Sequence, residues 1–416
     1  MPRPSLVVHH ARNGVVALNV LTAALRADPR TADVPIVFAR DADAMVEAIQ
    51  AAAGPVIAAW SFFSPESAEM TRTLADVRAR APRALHVAGG VHATAEPLDT
   101  LRSGWDLVAL GEGERTIVDL VLAVANGRDP LSVRGMGRLD GGELCTSGRG
   151  EPVELDAYPA FNLPDRKFNA IEITRGCVYA CAFCQTPFMF KARFRHRSVE
   201  NVREHVRVMR REGLRYVRFV TPTSLSYGAG GTEPNLAAVE ALLAACREEI
   251  GPEGRVFYGS FPSEVRPEHV TPEALTLLRK YVDNDNLVIG GQSGSQRVLD
   301  RTRRDHSVDD VVRASRLAIE HGFAVNVDFI FGLPDEDPTD REATLRLMET
   351  LTDLGARVHS HAFMPLPGTP LRDAPPGTIE PTVRRELERF EARGRAYGPW
   401  RAQLLVAERL SQRRRA

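Results

Sequence analysis

Short apolar runs alternate with amphipathic stretches of helix length along nearly all of this 416-residue chain, and that alternation leaves few folds open. In the first third, strand candidates fall at residues 6–9, 35–38, 56–60, 84–87 and 106–109, with helix candidates near 15–27, 42–53, 65–80 and 113–127. Strand, helix, strand in repetition implies a parallel sheet wound on both faces. A second series, more widely spaced, runs through 169–174, 215–220, 255–259, 286–290, 324–330 and 358–363. Six strand–helix units of that length imply an open (β/α)6 barrel. Between the series, glycines 135, 137, 141, 142, 148 and 150 mark a connector with a small hairpin. The expected fold class is therefore α/β. A doubly wound domain (1–135), a linker (136–166), a partial barrel (167–370) and a short helical tail (371–416) follow one another. Ligands of such sheets bind beyond the carboxyl ends of the strands.

The barrel's first strand runs into Arg175-Gly176-Cys177-Val178-Tyr179-Ala180-Cys181-Ala182-Phe183-Cys184. Three thiolates at C-x3-C-x2-C in one loop can hold three irons of a cubane and leave the fourth open to a substrate or cofactor. A structural zinc site is the rival reading. It would need a fourth ligand at short spacing, and His196, twelve residues past Cys184, is the nearest histidine candidate.

This loop resembles the signature of the radical S-adenosylmethionine (SAM) superfamily, C-x3-C-x-aromatic-C, with Phe183 in the aromatic slot. The resemblance implies a 4Fe-4S cluster on Cys177, Cys181 and Cys184, SAM on the open iron, and one-electron cleavage of SAM to methionine and a 5'-deoxyadenosyl radical. It continues through Gln292-Ser293-Gly294-Ser295, where Gln292 and Ser293 would face SAM's ribose and methionyl part. Arg304, or Arg303, would pair its carboxylate, a contact suited to a guanidinium fork. In Ile330-Phe331-Gly332-Leu333-Pro334-Asp335-Glu336 the Ile330 backbone would contact adenine. The family's Gly-Gly-Glu after the second strand is replaced by Thr221-Pro222-Thr223. His359 and His361 share one face of the sixth strand, where a satisfied barrel histidine and a contact to substrate or cobalamin are both open readings.

In the first domain, the strand ends carry Ser61-Phe62-Phe63-Ser64, Gly89-Gly90-Val91-His92-Ala93-Thr94 and Gly111-Glu112-Gly113-Glu114. Paired glycines admit a bulky ligand close to the backbone. Phosphate binding is the plain alternative. The combination resembles the cobalamin (B12)-binding domain that precedes many radical SAM domains, and implies cobalamin contacts at Ser61, Ser64, Gly89, Gly90, Gly111 and Glu112. The family's D-x-H-x-x-G axial histidine is missing: aligned on Gly14, its position holds Ala11, and His10 is one residue out of register.

Composition narrows the partners. A net charge of −1 offers nothing to a polyanion, and no apolar run approaches the roughly 20 residues of a membrane span. The opening Met1-Pro2-Arg3-Pro4-Ser5 lacks the apolar stretch of a secretory leader, and five cysteines, with Cys145 and Cys246 isolated, suit a reducing cytoplasm. Residues 381–416 hold ten Lys/Arg against four Asp/Glu, ending in Arg413-Arg414-Arg415, which reads as a solvated capping helix rather than a nucleic-acid module. The resemblance implies a cytoplasmic, cobalamin-dependent radical SAM enzyme that methylates an unactivated carbon of a small molecule. An electron donor such as flavodoxin or ferredoxin would feed it. A cyclase or rearrangement enzyme, with or without B12, and a non-catalytic cluster or cobalamin sensor are the alternatives.

Overall fold

The computed structural model describes residues 3–11 and 14–415, and side chains to residue 412. Met1 and Pro2 of the opening segment, and the side chains of Arg413-Arg414-Arg415, lie outside the described residues. The chain forms two compact units, Met1–Ala170 and Ile171–Ala416.

The first unit is one seven-stranded sheet. Strands β1 (Ser5–His9), β2 (Ile36–Ala39), β3 (Val56–Ser61), β4 (Ala84–Gly89) and β5 (Leu107–Ala109) are parallel. β6 (Met136–Asp140) and β7 (Glu143–Thr146) form the expected hairpin, added antiparallel, and the order is β2-β1-β3-β4-β5-β6-β7. Alternation along the strands builds a core on each face. Val7, Ala58, Trp60 and Ala88 pack with Met45, Leu74 and Val77 on one side. Leu6, Val8, Ile57 and Val87 pack with Leu18, Leu25 and Leu120 on the other. Chain order reverses between β1 and β3, so the crevice for a ligand opens at their carboxyl ends. Two helices between β4 and β5, Gly90–Ala95 and Pro97–Arg102, were not expected from the sequence. Six residues each, they are too short to show a helical period, and Pro97 starts the second with its fixed φ.

The second unit is the open barrel. β8 (Ile171–Glu172), β11 (Tyr216–Val220) and β12 (Arg255–Phe257) form one parallel group, in the order β12-β11-β8. β13 (Asn286–Gln292), β14 (Ala324–Phe331), β15 (Arg357–Ala362) and β16 (Ala396–Tyr397) form the other. A bridge from Val265 to Ile289 joins them. The first barrel strand is broken: Ile171–Glu172 pairs with β11, while β9 (Thr174–Arg175) turns to pair antiparallel with β10 (Arg195–His196). Helices Val199–Arg211, Leu236–Ile250, Pro272–Tyr281, Val308–Glu320 and Pro338–Asp353 cover the outside. Side-chain caps start each: Ser198, Asn235, Thr271, Ser307 and Asp337 accept from first-turn amides. The tail is helical, Pro381–Ala392 and Trp400–Arg415, but it does more than cap. It contributes β16 as the sheet's edge and buries Leu387 and Trp400. Among the described residues no helix is long and apolar enough to cross a membrane.

Candidate active site

The cysteine loop leaves β9 and returns through β10, so a two-residue ribbon clamps its base. Gly176 sits at φ +82°, where a Cβ would lie 2.1 Å from the Arg193 carbonyl, so only glycine closes this turn. The Ala182 amide donates to the Thr302 carbonyl (2.9 Å) and the Cys184 amide to that of Cys181 (3.0 Å), which fixes the loop against the segment beyond β13. Burial pushes the Cys177 thiol up to about 11 and raises that of Cys184. Without a cation these thiols stay protonated, and a metal that takes the protons' place makes them thiolates.

The three cysteines line a cavity of about 400 Å³ together with Phe183, Gln292, Arg304 and Ile330. Arg304 is buried, donating from Nη2 to the Gly290 carbonyl (2.8 Å) and from Nη1 to Cys181 Sγ (3.5 Å), while Arg303 is exposed. Gln292 follows a bulge in β13 and has φ +69°. A Cβ on Gly290 would meet Arg304 Nη2 and Gln292 Nε2 at 2.8 Å each, so the glycine gives both side chains their room. Ser293 is brought near this group in sequence only. It is fully buried behind the wall, where its hydroxyl accepts from the Ser295 amide (3.2 Å) and lies 3.4 Å from Thr344 Oγ1.

Sequence reasoning passed over Glu264, Arg266 and Gln403, all of which line the cavity. Glu264 and Arg266 flank Val265, the bridge residue buried against the sheet, so period two points both inward. The alternation Glu-Val-Arg was the available signal, hidden by its position beyond the expected end of a strand. Burial, and then the nearby Asp328 carboxylate, push the Glu264 carboxyl up to about 7. Arg266 lies 3.5 Å over the Tyr179 ring and binds Glu268 and the Arg304 carbonyl. Gln403 comes from the tail helix, for which the sequence offered no signal.

One wall of the cavity is a polar chain. Asp328 Oδ1 lies 2.9 Å from His359 Nδ1, which lies 3.1 Å from His361 Nε2. His361 Nδ1 is 3.1 Å from Gln403 Nε2, and Gln403 Oε1 accepts the Ala362 amide at 2.8 Å. His359 stacks on Tyr397 of β16 at 4.6 Å.

In the first unit, Ser61 ends β3 and Gly89 ends β4, side by side in register. Gly90, at φ +88°, has Phe62 O and Ser61 Oγ 3.0 Å from where a Cβ would stand. Ser64 is buried, its hydroxyl 3.2 Å from His92 Nδ1. Gly111 and Glu112 are engaged by the chain itself: Gly150 packs on Gly111, and Glu112 Oε2 accepts the Val153 amide at 3.1 Å. His10 reaches Asn19 Oδ1 at 2.8 Å, and His9 is buried on the Trp60 ring at 4.4 Å.

Residues 171–348 match the family model of the Radical SAM superfamily, and residues 12–121 match that of the B12 binding domain. By these matches the chain carries a domain of the Radical SAM superfamily. Its barrel is a radical SAM domain, preceded by a B12-binding domain. In fold it is similar to the radical S-adenosylmethionine methyltransferase TsrM from Kitasatospora setae, solved with cobalamin and a [4Fe-4S] cluster. The TM-score is 0.70 at 18% identity, covering 90% of this chain and 78% of that one. The cobalamin-dependent S-adenosylmethionine radical enzyme OxsB gives 0.66 at 18% identity, over 83% and 52%. An uncharacterized methyltransferase of Pyrococcus horikoshii is 27% identical over 306 residues, 68% of this chain and 61% of the relative. The chain thus spans about three fifths of that curated relative's length.

Proposed function

We infer that this protein is a cobalamin-dependent radical SAM enzyme that methylates an unactivated carbon of a small molecule. One observation carries the reading. Cys177, Cys181 and Cys184, with Phe183 of the same loop, open into the same cavity as Gln292, Arg304 and Ile330, which lie more than 100 residues further along the sequence. Three thiols, Cys181 buried and Cys177 and Cys184 half-buried, with a guanidinium on the Cys181 sulfur fit a cluster, since the hydrogen bond stabilises charge on that sulfur. In this reading Arg304 holds the SAM carboxylate, Gln292 the ribose side, the Ile330 backbone the adenine, and Phe183 packs the loop. Ser293 supports the wall from behind. The loops of Ser61, Ser64, Gly89 and Gly90 fit cobalamin because the strand ends themselves carry only the small residues Ser61, Gly89 and Gly90, with Gly111 and Glu112 shaping the neighbouring turn. His10 is turned to Asn19 and Ala11 stands at the family's axial position, so neither supplies the axial histidine to cobalt. When bound, the cluster supplies an electron to SAM and cobalamin carries a methyl group. Methylation is favoured over rearrangement by the likeness to TsrM in both units.

The test uses anaerobically reconstituted protein with SAM, dithionite and an extract of the host. Methyl-labelled SAM should pass label first to the corrinoid fraction and then to a small product heavier by one methyl. The Cys177→Ala/Cys181→Ala/Cys184→Ala protein should make no 5'-deoxyadenosine. A product of altered connectivity without label would assign rearrangement, and 5'-deoxyadenosine from the triple variant would remove the cluster from those cysteines.

A further inference from the structure

Beside the cysteine loop lies a second buried guanidinium, that of Arg266, and it holds two parts of the site at once. Its Cζ stands 3.5 Å from the centroid of the Tyr179 ring, and Tyr179 is two residues from both Cys177 and Cys181. Its Nη2 donates to the Arg304 carbonyl, and Arg304 in turn reaches Cys181 Sγ. Each of these partners is itself pinned. The Val265 bridge to β13 fixes the backbone next to Arg266. Tyr179 Oη donates to the Thr232 carbonyl (2.8 Å) and lies 2.8 Å from His269 Nε2. The Arg304 amide donates to the Leu299 carbonyl at 2.9 Å.

The ion pair that Arg266 makes has a direction. Arg266 lines the cavity together with the three cysteines, while Glu268, which accepts from its Nε, does not. Glu268 stands instead beside His269 and His306, at 3.9 and 3.8 Å. The positive end of the pair is therefore turned to the cysteine loop, and a guanidinium keeps its charge at any pH the fold survives. Burial raises the Cys177 thiol, and Arg266 works against that rise, as a cation near a developing thiolate must. A cluster that takes up an electron gains one negative charge, and a fixed cation in a buried, weakly screened site favours that state.

We propose that Arg266 sets the reduction potential of the cluster held by Cys177, Cys181 and Cys184, with Glu268 as the counter-charge that moderates it. This rests on the cluster assigned above. The step concerned moves one electron from the donor to the cluster: the donor is oxidised by one charge, the cluster reduced by one, and no bond or proton changes place. Arg304 also faces the loop, but it has the SAM carboxylate to pair, whereas Arg266 is matched by Glu268 alone among the described carboxylates that bond to it. One buried unit charge at a distance of roughly 10 Å shifts a one-electron equilibrium by about tenfold.

The test is a redox titration of the reconstituted full-length protein without SAM, following the EPR signal of the reduced cluster, with iron and sulfide content measured on each sample. Arg266→Gln should lower the ratio of reduced to oxidised cluster at a fixed solution potential by about tenfold, equivalent to about 59 mV. Arg266→Lys keeps the charge without the planar fork and should recover about half of that shift or more. Glu268→Gln keeps the shape and removes the counter-charge, so it should move the potential the opposite way and enlarge the reduced fraction. A role in packing alone gives a different pattern. The Gln and Lys variants of Arg266 would then behave alike, and Glu268→Gln would shift the potential in the same direction as Arg266→Gln or leave it unmoved. Either result would overturn the proposal. If Arg266→Gln holds no cluster, the opposed shift of Glu268→Gln decides alone, and its absence overturns the proposal. Failure of the unmodified protein to form a cluster would instead count against the function proposed above.

Discussion

Both units bury histidines, and they bury them in opposite ways. His86 in β4 is fully buried next to Trp60, and neither ring nitrogen has a hydrogen-bond partner. His359 and His361 in β15 are held nitrogen by nitrogen in a chain of four polar side chains. Burial, and then the nearby Arg78, lower the His86 pKa to about 4, a packing consequence, since neither ring nitrogen meets a partner. Burial also lowers His361, but that ring opens on a cavity and is oriented by an amide that the backbone fixes. A buried histidine is therefore uninformative alone; the partners on its two nitrogens separate a core residue from a chemical one.

The largest effect that sharpens this contrast is in pH stability. His86 titrates near 6.5 unfolded and about 4 folded, so the unfolded chain binds more protons in between. Its neutral form supports the fold fully above pH 6.5, and that support is lost as pH falls towards 4. The difference amounts to roughly 3 kcal/mol. Thermal melts of His86→Leu should lose less stability than the parent between pH 6.5 and 4. Parallel curves for the two proteins would show that His86 is not the acid-sensitive group.

A smaller effect separates the two ligand loops. Arg304→Gln removes the buried guanidinium that reaches both Gly290 O and Cys181 Sγ. SAM should bind about 10- to 100-fold more weakly, the equivalent of the 1.5–3 kcal/mol of a charge-assisted hydrogen bond. Cobalamin retention should be unaffected, because the loops assigned to it contain no arginine. Equilibrium SAM binding checks the first and corrinoid content the second. An unchanged SAM affinity would take Arg304 out of the site.

How much of this was legible follows from which signals are local. The five parallel strands, the six barrel strands and the cysteine loop were readable because period two, period 3.6 and C-x3-C-x2-C are properties of short segments. The convergence of Gln292, Arg304 and Ile330 on the cysteines was legible only through family resemblance, since no segment holds more than one of them beside the loop. Gln403 was not legible at all. It reaches the cavity because β16 adds the tail to the sheet, and a two-residue strand has no pattern. Glu112 shows the converse. Its Gly-Glu-Gly-Glu context drew attention to a ligand, while the structure gives its carboxylate the Val153 amide.

The smallest effect tests what the glycines of the B12-binding domain are for. Gly90 and Gly142 have nearly the same φ, +88° and +89°, so alanine at either carries a similar positive-φ penalty, of the order of 1 kcal/mol. Their surroundings differ. Nothing lies within 4 Å of a Cβ at Gly142, whereas one at Gly90 would stand 3.0 Å from both Phe62 O and Ser61 Oγ and 3.2 Å from Phe62 N. Gly142→Ala should lower stability by that backbone cost alone and leave cobalamin binding intact. Gly90→Ala should cost about 1 kcal/mol more, because backbone atoms of the β3 loop must give way. It should also weaken cobalamin binding, because Ser61 and Gly90 would be pushed apart at the strand ends where the ligand is assigned. Denaturant melts of the two variants measure the difference, and corrinoid titration measures the affinity. Equal losses from both would mean that the Ser61 and Gly90 loops are not closely apposed. A stability difference without any change in corrinoid affinity would keep the packing and move the cobalamin site away from Gly90.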